Sequence, residues 1–261
     1  MEICTFASSS SGNCALVSHG GTTILVDAGI SLRRIRDSLR ELGLTTDDLS
    51  AVLITHEHTD HICAVRMLLK HTRVPIYASY GVSDGICASV PEAEGRLQPF
   101  EAGTSFSLRD ICIQSFITPH DTPESVGYVL EGGGRRLAFV TDLGCVTDTV
   151  RNAVRGADAA LVESNHDVRM LTGGRYPYYL KKRILSDRGH LSNEVCGGLA
   201  AELAGGGTRR LILAHLSKEN NTPQLAYRTA EEALCRAGAV PGRDVALHVA
   251  PADSPGGVYI V

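Results

Sequence analysis

The sequence has no excess of positive charge, no apolar run of membrane-spanning length and no paired-cysteine motif. Its 25 Lys and Arg against 29 Asp and Glu leave a net charge of -4 at pH 7. Such a chain exerts no general pull on nucleic acid or acidic lipid, so any polyanion must be held locally. No stretch approaches the ~18 apolar residues of a membrane span. The amino terminus runs directly into strand-like sequence without a basic leader and cleavage site, which predicts a cytoplasmic protein that does not engage membranes. The eight cysteines (Cys4, Cys14, Cys63, Cys87, Cys112, Cys145, Cys196 and Cys235) are scattered without a C-x-x-C pair. They read as reduced thiols and not as a disulfide framework. Internal repeats, low-complexity tracts and linkers are also lacking. With 261 residues, 43% of them hydrophobic, the chain is expected to form one domain over 1–261 with a substantial core.

What is present is concentrated in Ile54-Thr55-His56-Glu57-His58-Thr59-Asp60-His61, directly after the apolar run Ala51-Val52-Leu53-Ile54. The run is short and branched, as in a buried strand. Ala64, Val65, Leu68 and Leu69 then recur with helical spacing. Three imidazoles and a carboxylate would therefore sit on a strand-to-helix turn that can aim several side chains at one point. Histidine and aspartate in this order suit metal ions, and two adjacent metals fit the spacing better than one.

Toward the amino end, Ile3 to Ala7 and Cys14 to Val17 read as strands separated by Ser8-Ser9-Ser10-Ser11-Gly12-Asn13. Two readings stand for that loop: a plain turn, or a turn whose hydroxyls and N–H groups hold a phosphate. Thr22 to Val26 is a buried strand ending at Asp27, a carboxylate placed to support the metal loop from outside it. Ser31 is the expected N-cap of a helix from Leu32 to about Leu42, stopped by Gly43, with Arg33, Arg34, Arg36 and Arg40 mostly on its solvated face. Strands are expected at 74–77, 104–108, 111–116, 126–130, 135–140, 159–163 and 209–213, and helices near 146–155, 192–204 and 222–237. Strands carrying polar residues at one end, flanked by helices, predict an α/β fold, a four-layer αββα sandwich.

The spacing H-x-H-x-D-H resembles the signature of the metallo-β-lactamase-fold hydrolases. The further residues that this family requires are present: His120 in Thr118-Pro119-His120-Asp121, Asp142 in Thr141-Asp142-Leu143-Gly144, and His215 in Ala214-His215-Leu216. The resemblance implies two divalent metal ions, zinc or manganese. His56, His58 and His120 would hold one, Asp60, His61 and His215 the other, with Asp142 bridging them beside a water. A histidine at position 58, where oxygen-reducing members carry glutamate, implies hydrolysis. Comparison with the phosphodiesterase branch adds a Glu163–His190 pair in which the carboxylate orients an imidazole that serves a phosphate oxygen. Asp60 is counted with these two as catalytic. The alternative for His190 is simple packing at a helix start.

Tyr176-Pro177-Tyr178-Tyr179-Leu180-Lys181-Lys182-Arg183 also has two readings: bases stacked on aromatics with phosphates on Lys181 and Lys182, or a half-buried helix with a solvated face. Taken with Ser8 to Asn13, Glu163 to Asp167 and Gly189 to Asn193, it resembles the YycJ/WalJ branch of the superfamily, which implies a 5′-to-3′ exonuclease acting on DNA. The short interval between Asp142 and His215 leaves no room for a β-CASP insertion, which disfavours RNA. Candidate phosphate holders are Ser9, Ser10, Ser11, Asn13, Lys181 and Lys182. The competing functions are hydrolysis of a small thioester or lactone and a non-catalytic metal protein. His166 receives no role.

Overall fold

The computed structural model describes residues 1–261. The chain begins with three antiparallel strands, β1 (Glu2–Ser9), β2 (Gly12–His19) and β3 (Thr22–Val26). Helix α1 (Leu32–Glu41) then crosses to β4 (Ala51–Leu53), which lies parallel to β3. Ser31 caps α1 by accepting the Arg34 N–H, and Leu32, Ile35 and Leu39 turn inward. Two short helices, α2 (Thr59–Ile62) and α3 (Val65–His71), lead to β5 (Ile76–Ser79). Helix α4 (Tyr80–Ser89) leads to β6 (Leu97–Phe100), and β4, β5 and β6 are all parallel.

The second half repeats this plan. Strands β7 (Ser105–Leu108), β8 (Ile111–Ile117), β9 (Val126–Gly132) and β10 (Arg135–Val140) are antiparallel. Helix α5 (Asp148–Val154) crosses to β11 (Ala159–Glu163), parallel to β10. Helices α6 (Val168–Gly173), α7 (Tyr178–Ile184) and α8 (Asn193–Gly205) lead to β12 (Arg210–Ala214), and α9 (Pro223–Arg236) leads to β13 (Ala246–Val249). The last strand, β14 (Val258–Ile260), returns to pair antiparallel with β1.

Each sheet therefore has seven strands, in the orders β14-β1-β2-β3-β4-β5-β6 and β13-β12-β11-β10-β9-β8-β7. In both, three antiparallel pairings give way to three parallel ones. Apolar side chains such as Ile24, Leu53, Tyr128 and Leu161 fill the space between the sheets. Separate apolar clusters join each sheet to its own helices, around Ile35, Leu68 and Ile86 on one side and Leu199, Leu213 and Leu234 on the other. The expected αββα sandwich is the architecture found, and no helix is long and apolar enough to cross a membrane.

Three local differences from the sequence reading have physical causes. The helix expected from His61 onward is split in two, because Ala28 donates to the His61 carbonyl (2.8 Å) and Ala64 donates to the Ala28 carbonyl (2.8 Å). Those bonds remove both residues from a continuous helical ladder. The serine run is mostly strand: Ser8 and Ser9 belong to β1, Gly12 and Asn13 to β2, and only Ser10 and Ser11 form the turn. The edge strands β6, β13 and β14 carry too little apolar alternation to stand out in the sequence.

Candidate metal centre and active site

The polar ends of β3, β4, β10, β11 and β12 and the loop after β8 converge at one rim of the sandwich. Three of the residues there, Asp27 (φ 61), Asp142 (φ 59) and His215 (φ 56), leave their strands in the left-handed region. That conformation costs a non-glycine residue on the order of 1–3 kcal/mol, and it persists where the surroundings require it. Here it turns each side chain off the strand direction and toward the rim. Gly29 and Gly144 follow Asp27 and Asp142 at the same spacing. A methyl group on the first would overlap the Asp60 carbonyl, and on the second the Ser186–Asp187 backbone, so both sites depend on glycine to let a loop approach.

Two donor groups form side by side. His58 Nδ1 lies 3.1 Å from His56 Nε2 and 3.3 Å from His120 Nε2. Asp60 Oδ2 lies 3.4 Å from His215 Nε2 and 3.5 Å from His61 Nε2. Asp142 stands between the two groups, with Oδ2 3.4 Å from His61 Nε2 and Oδ1 3.4 Å from His215 Nε2. Its Oδ2 is buried without a hydrogen-bond partner. Imidazole lone pairs that face each other at such distances repel, and a buried carboxylate oxygen without a donor is costly. Cations relieve both, so the residues present fit a pair of divalent metal ions: His56, His58 and His120 for one, Asp60, His61 and His215 for the other, and Asp142 adjoining both.

The outward nitrogens strengthen this fit. His61 Nδ1 contacts Asp27 Oδ2 (2.8 Å), His215 Nδ1 contacts Glu163 Oε1 (2.9 Å), His120 Nδ1 contacts the Gly189 carbonyl (3.1 Å), and His56 Nδ1 contacts Thr55 Oγ1 (3.1 Å). Each partner fixes a tautomer that leaves Nε2 free to face the centre. His58 is reversed: Nδ1 faces inward, and Nε2 lies 3.6 Å from Asp121 Oδ1. Asp27 also accepts from the Thr55 N–H (2.8 Å) and hydroxyl (3.0 Å), which ties the metal loop to β3.

Charge is distributed unevenly across the centre. Burial holds the pKa of His56, His58 and His120 below the ordinary imidazole value, in the neutral form that ligates. Burial acts the same way on His61 and His215, but there the carboxylates win. Asp27, Asp142 and Asp60 raise His61 well above its ordinary value, and Asp142, Asp60 and Glu163 raise His215 to about 10. Burial opposes ionisation of Asp60, yet His61 and His215 hold it far below the usual carboxylate range.

Glu163 is fully buried and serves two imidazoles. Its Oε1 accepts from His190 Nδ1 at 2.7 Å as well as from His215, and its Oε2 accepts from the Leu143 and Leu191 N–H groups (3.1 and 3.3 Å). Burial works against its charge, but His190 and His215 keep it ionised and well below the usual range. His190 remains partly exposed (19%), with its ring centroid 5.1 Å from that of His120 and 5.2 Å from that of His215.

Residues 22–216 match the family model described as a beta-lactamase superfamily domain. The chain belongs to the metallo-β-lactamase superfamily. Within it, the chain is 34% identical over 251 residues to exodeoxyribonuclease YycJ of Bacillus anthracis, covering 95% of this chain and 94% of that one. It is 36% identical over 253 residues to exodeoxyribonuclease WalJ of Streptococcus pneumoniae, covering 95% and 93%. It is thus a member of the YycJ/WalJ family. Zinc-bound PqqB from Methylobacterium extorquens superposes over 100% of both chains with a TM-score of 0.74 at 18% identity. The short form of human tRNase Z does so with 0.66 at 16% identity.

In this superfamily member the suggested phosphate holders do not form one group. Ser10 and Ser11 are exposed, but Ser9 is fully buried and its hydroxyl accepts from the Ser11 N–H (3.3 Å), which closes the turn. Asn13 grips the Ser9 backbone at both N–H and C=O (3.1 and 3.0 Å) and brings its amide nitrogen 3.0 Å from His61 Nε2 and 3.4 Å from Asp60 Oδ2. Lys181 donates to the Thr172 and Gly174 carbonyls (2.7 Å each) and so braces α7 against the end of α6. Lys182 is exposed and makes no such bond. His166 is buried with both ring nitrogens unpartnered, and burial lowers its pKa.

Sequence reasoning missed Asp121, which joins Arg183 on α7 to the edge of the histidine cluster. It also missed Asn165, whose amide donates to the His215 carbonyl (2.9 Å) and to Ser10 Oγ (3.1 Å). Both lie inside stretches singled out for their neighbours: Asp121 directly follows a candidate ligand and Asn165 lies two residues after Glu163, and neither carried a role of its own.

Proposed function

We propose that the protein is a two-metal phosphodiesterase that degrades DNA from a 5′ end in the cytoplasm. The observation that carries this reading is Glu163 Oε1 shared between His215 Nδ1 (2.9 Å) and His190 Nδ1 (2.7 Å). One carboxylate thereby orients an imidazole of the donor set and a second imidazole beside it. The relatives named exodeoxyribonucleases support DNA as the substrate class. The eight unpaired cysteines suit a reducing compartment.

Two divalent cations, zinc or manganese, would supply an activated water and neutralise charge at the reacting phosphorus. The chain's own residues do the rest. Asp60, His61 and His215 are held by Asn13, Asp27 and Glu163, so the donor geometry is set before substrate arrives. His190, with Nδ1 committed to Glu163, presents Nε2 to the cleft and donates its proton to a phosphoryl oxygen or to the leaving oxygen. Ser10 and Ser11, exposed at their turn, would meet a terminal 5′-phosphate.

The test is activity on 5′-phosphorylated and 5′-hydroxyl single-stranded DNA with defined zinc or manganese, run beside RNA and a panel of lactones and thioesters. Preferred degradation of the 5′-phosphorylated DNA is expected. Turnover confined to the lactones or thioesters would replace the nuclease reading with that of a small-molecule hydrolase. Equal rates on circular and linear DNA would remove the terminal-phosphate role.

A further inference from the structure

We infer that α6 and α7 form a stacking rail for the single DNA strand that runs away from the active site, an inference that rests on the nuclease reading above. Consecutive tyrosines on α7, Tyr178 and Tyr179, are 81% and 75% exposed. Two large bare rings in the same turn of a surface helix are uncommon without a partner. Beside Tyr178 an open groove of about 570 Å³ is lined by Thr172, Tyr178, Lys181, Lys182, Leu185 and Ser186.

Charge identifies the occupant. Between Val168 and Arg188 the chain carries Arg169, Arg175, Lys181, Lys182, Arg183 and Arg188 against Asp187 alone, six positive charges and one negative, a local +5 within a chain of net -4. Three of these are structural. Lys181 is bound by the carbonyls of Thr172 and Gly174, Arg183 by Asp121, and Arg188 by the carbonyls of His120 (2.8 Å) and Thr122 (3.1 Å). Arg169, Arg175 and Lys182 are exposed and uncommitted. Aromatic faces interleaved with free cations match unstacked bases on a phosphate backbone, and such stacking tolerates any base sequence.

The rail is fastened to the chemistry. The Ile184 carbonyl at the end of α7 accepts the His190 N–H (3.0 Å), and Arg183 reaches Asp121, whose Oδ1 lies 3.4 Å from His120 Nε2. Seven helical residues span on the order of 10 Å, so the tyrosines stand within a few nucleotides of His190. A strand whose terminal linkage lies at His190 meets Tyr178 and Tyr179 with its following bases. These contacts depend on strand length and not on the reacting bond.

The experiment compares wild type, Y178A/Y179A, Y178F/Y179F and K182A as metal-loaded full-length proteins, on short (~3-nucleotide) and long (~15-nucleotide) 5′-phosphorylated strands. Anisotropy reads affinity, turnover reads KM and kcat separately, and gel filtration reads the oligomeric state. Y178A/Y179A should weaken the long strand ~10–100-fold, mostly in KM, with a much smaller effect on the short one. Y178F/Y179F should retain wild-type affinity, because stacking needs the ring and not the hydroxyl. K182A should lower the salt dependence of log affinity by about 0.7. Equal long-strand affinity for wild type and Y178A/Y179A overturns the rail, as does equal loss on short and long strands. A dimer that Y178A/Y179A dissolves makes the patch a self-interface and also overturns it. A wild type that degrades no DNA retires the nuclease reading separately, and anisotropy still decides the rail.

Discussion

Asp27 and Asp142 occupy the same place in the two halves of the molecule: each follows the last antiparallel strand of its sheet, each is left-handed, and each is followed two residues later by a glycine. Their fates differ. Asp27 is consumed within its own half, binding Thr55 at the end of β4 and His61 beyond it. In the second half the corresponding support comes from Glu163 at the end of β11, which accepts from Leu143 beside Asp142 and orients His215 and His190. With that task taken over, Asp142 keeps an uncommitted oxygen between the two donor groups. A repeated scaffold thus yields an asymmetric site by changing which carboxylate does the supporting.

Substitutions test that contrast, and the greatest loss belongs to the carboxylate with the uncommitted oxygen. Asp142→Ala should lose both metals after dialysis and drop DNA degradation by on the order of 10⁴ or more, since both charge neutralisation and water activation go with the cations. Two equivalents of metal at wild-type affinity in that variant would sink the contrast.

His190→Ala should keep its metals and lose ~10²–10⁴ in kcat if, as proposed, it donates a proton from outside the donor groups. Metal loss, or near-normal turnover, would reduce His190 to a ligand or a packing residue.

Asp27→Asn and Glu163→Gln compare the two supports directly. Asp27→Asn should weaken metal binding ~10–100-fold through His61, with kcat at saturating metal little changed. Glu163→Gln should weaken it similarly through His215 and, at saturating metal, still lose kcat through His190. Identical behaviour of the two variants in both measurements contradicts the division of labour.

The smallest effect is one of pH. In metal-free protein His215 holds its proton up to about 10, above the ordinary 6.5. A pKa raised by folding adds stability that is complete below ~6.5 and disappears as pH climbs toward 10. Metal affinity should move the other way, because ligands must shed protons to bind. The gap between metal-loaded and metal-free melting temperatures should therefore widen from pH 6.5 to 9.5; a narrowing gap counts against it.

The residues that gather at the rim could be picked out because they follow apolar runs closely, and because four of them fall within six positions. The αββα layering was legible for the same reason: buried strands and amphipathic helices alternate cleanly through most of the chain. The split between α2 and α3 was not, since it depends on backbone bonds from Ala28, remote in sequence. Nor was the bracing role of Lys181, because a lysine that binds helix-end carbonyls has the same composition as one awaiting a phosphate. The duplication is written in strand order and in two Asp-x-Gly corners, too sparse a trace to register as periodicity.

The left-handed corners at Asp27, Asp142 and His215 tie the durability of the fold to the supply of metal. Facing imidazole lone pairs and the unpartnered Asp142 oxygen at that rim are satisfied when cations bind there, so the native population follows metal availability through mass action. At a free concentration 100 times the dissociation constant the gain is ~2.7 kcal/mol, worth roughly 5–10 °C in melting temperature for a chain of this size. A cell starved of the ion would lose the enzyme twice over, first as activity and then as folded protein available to proteases.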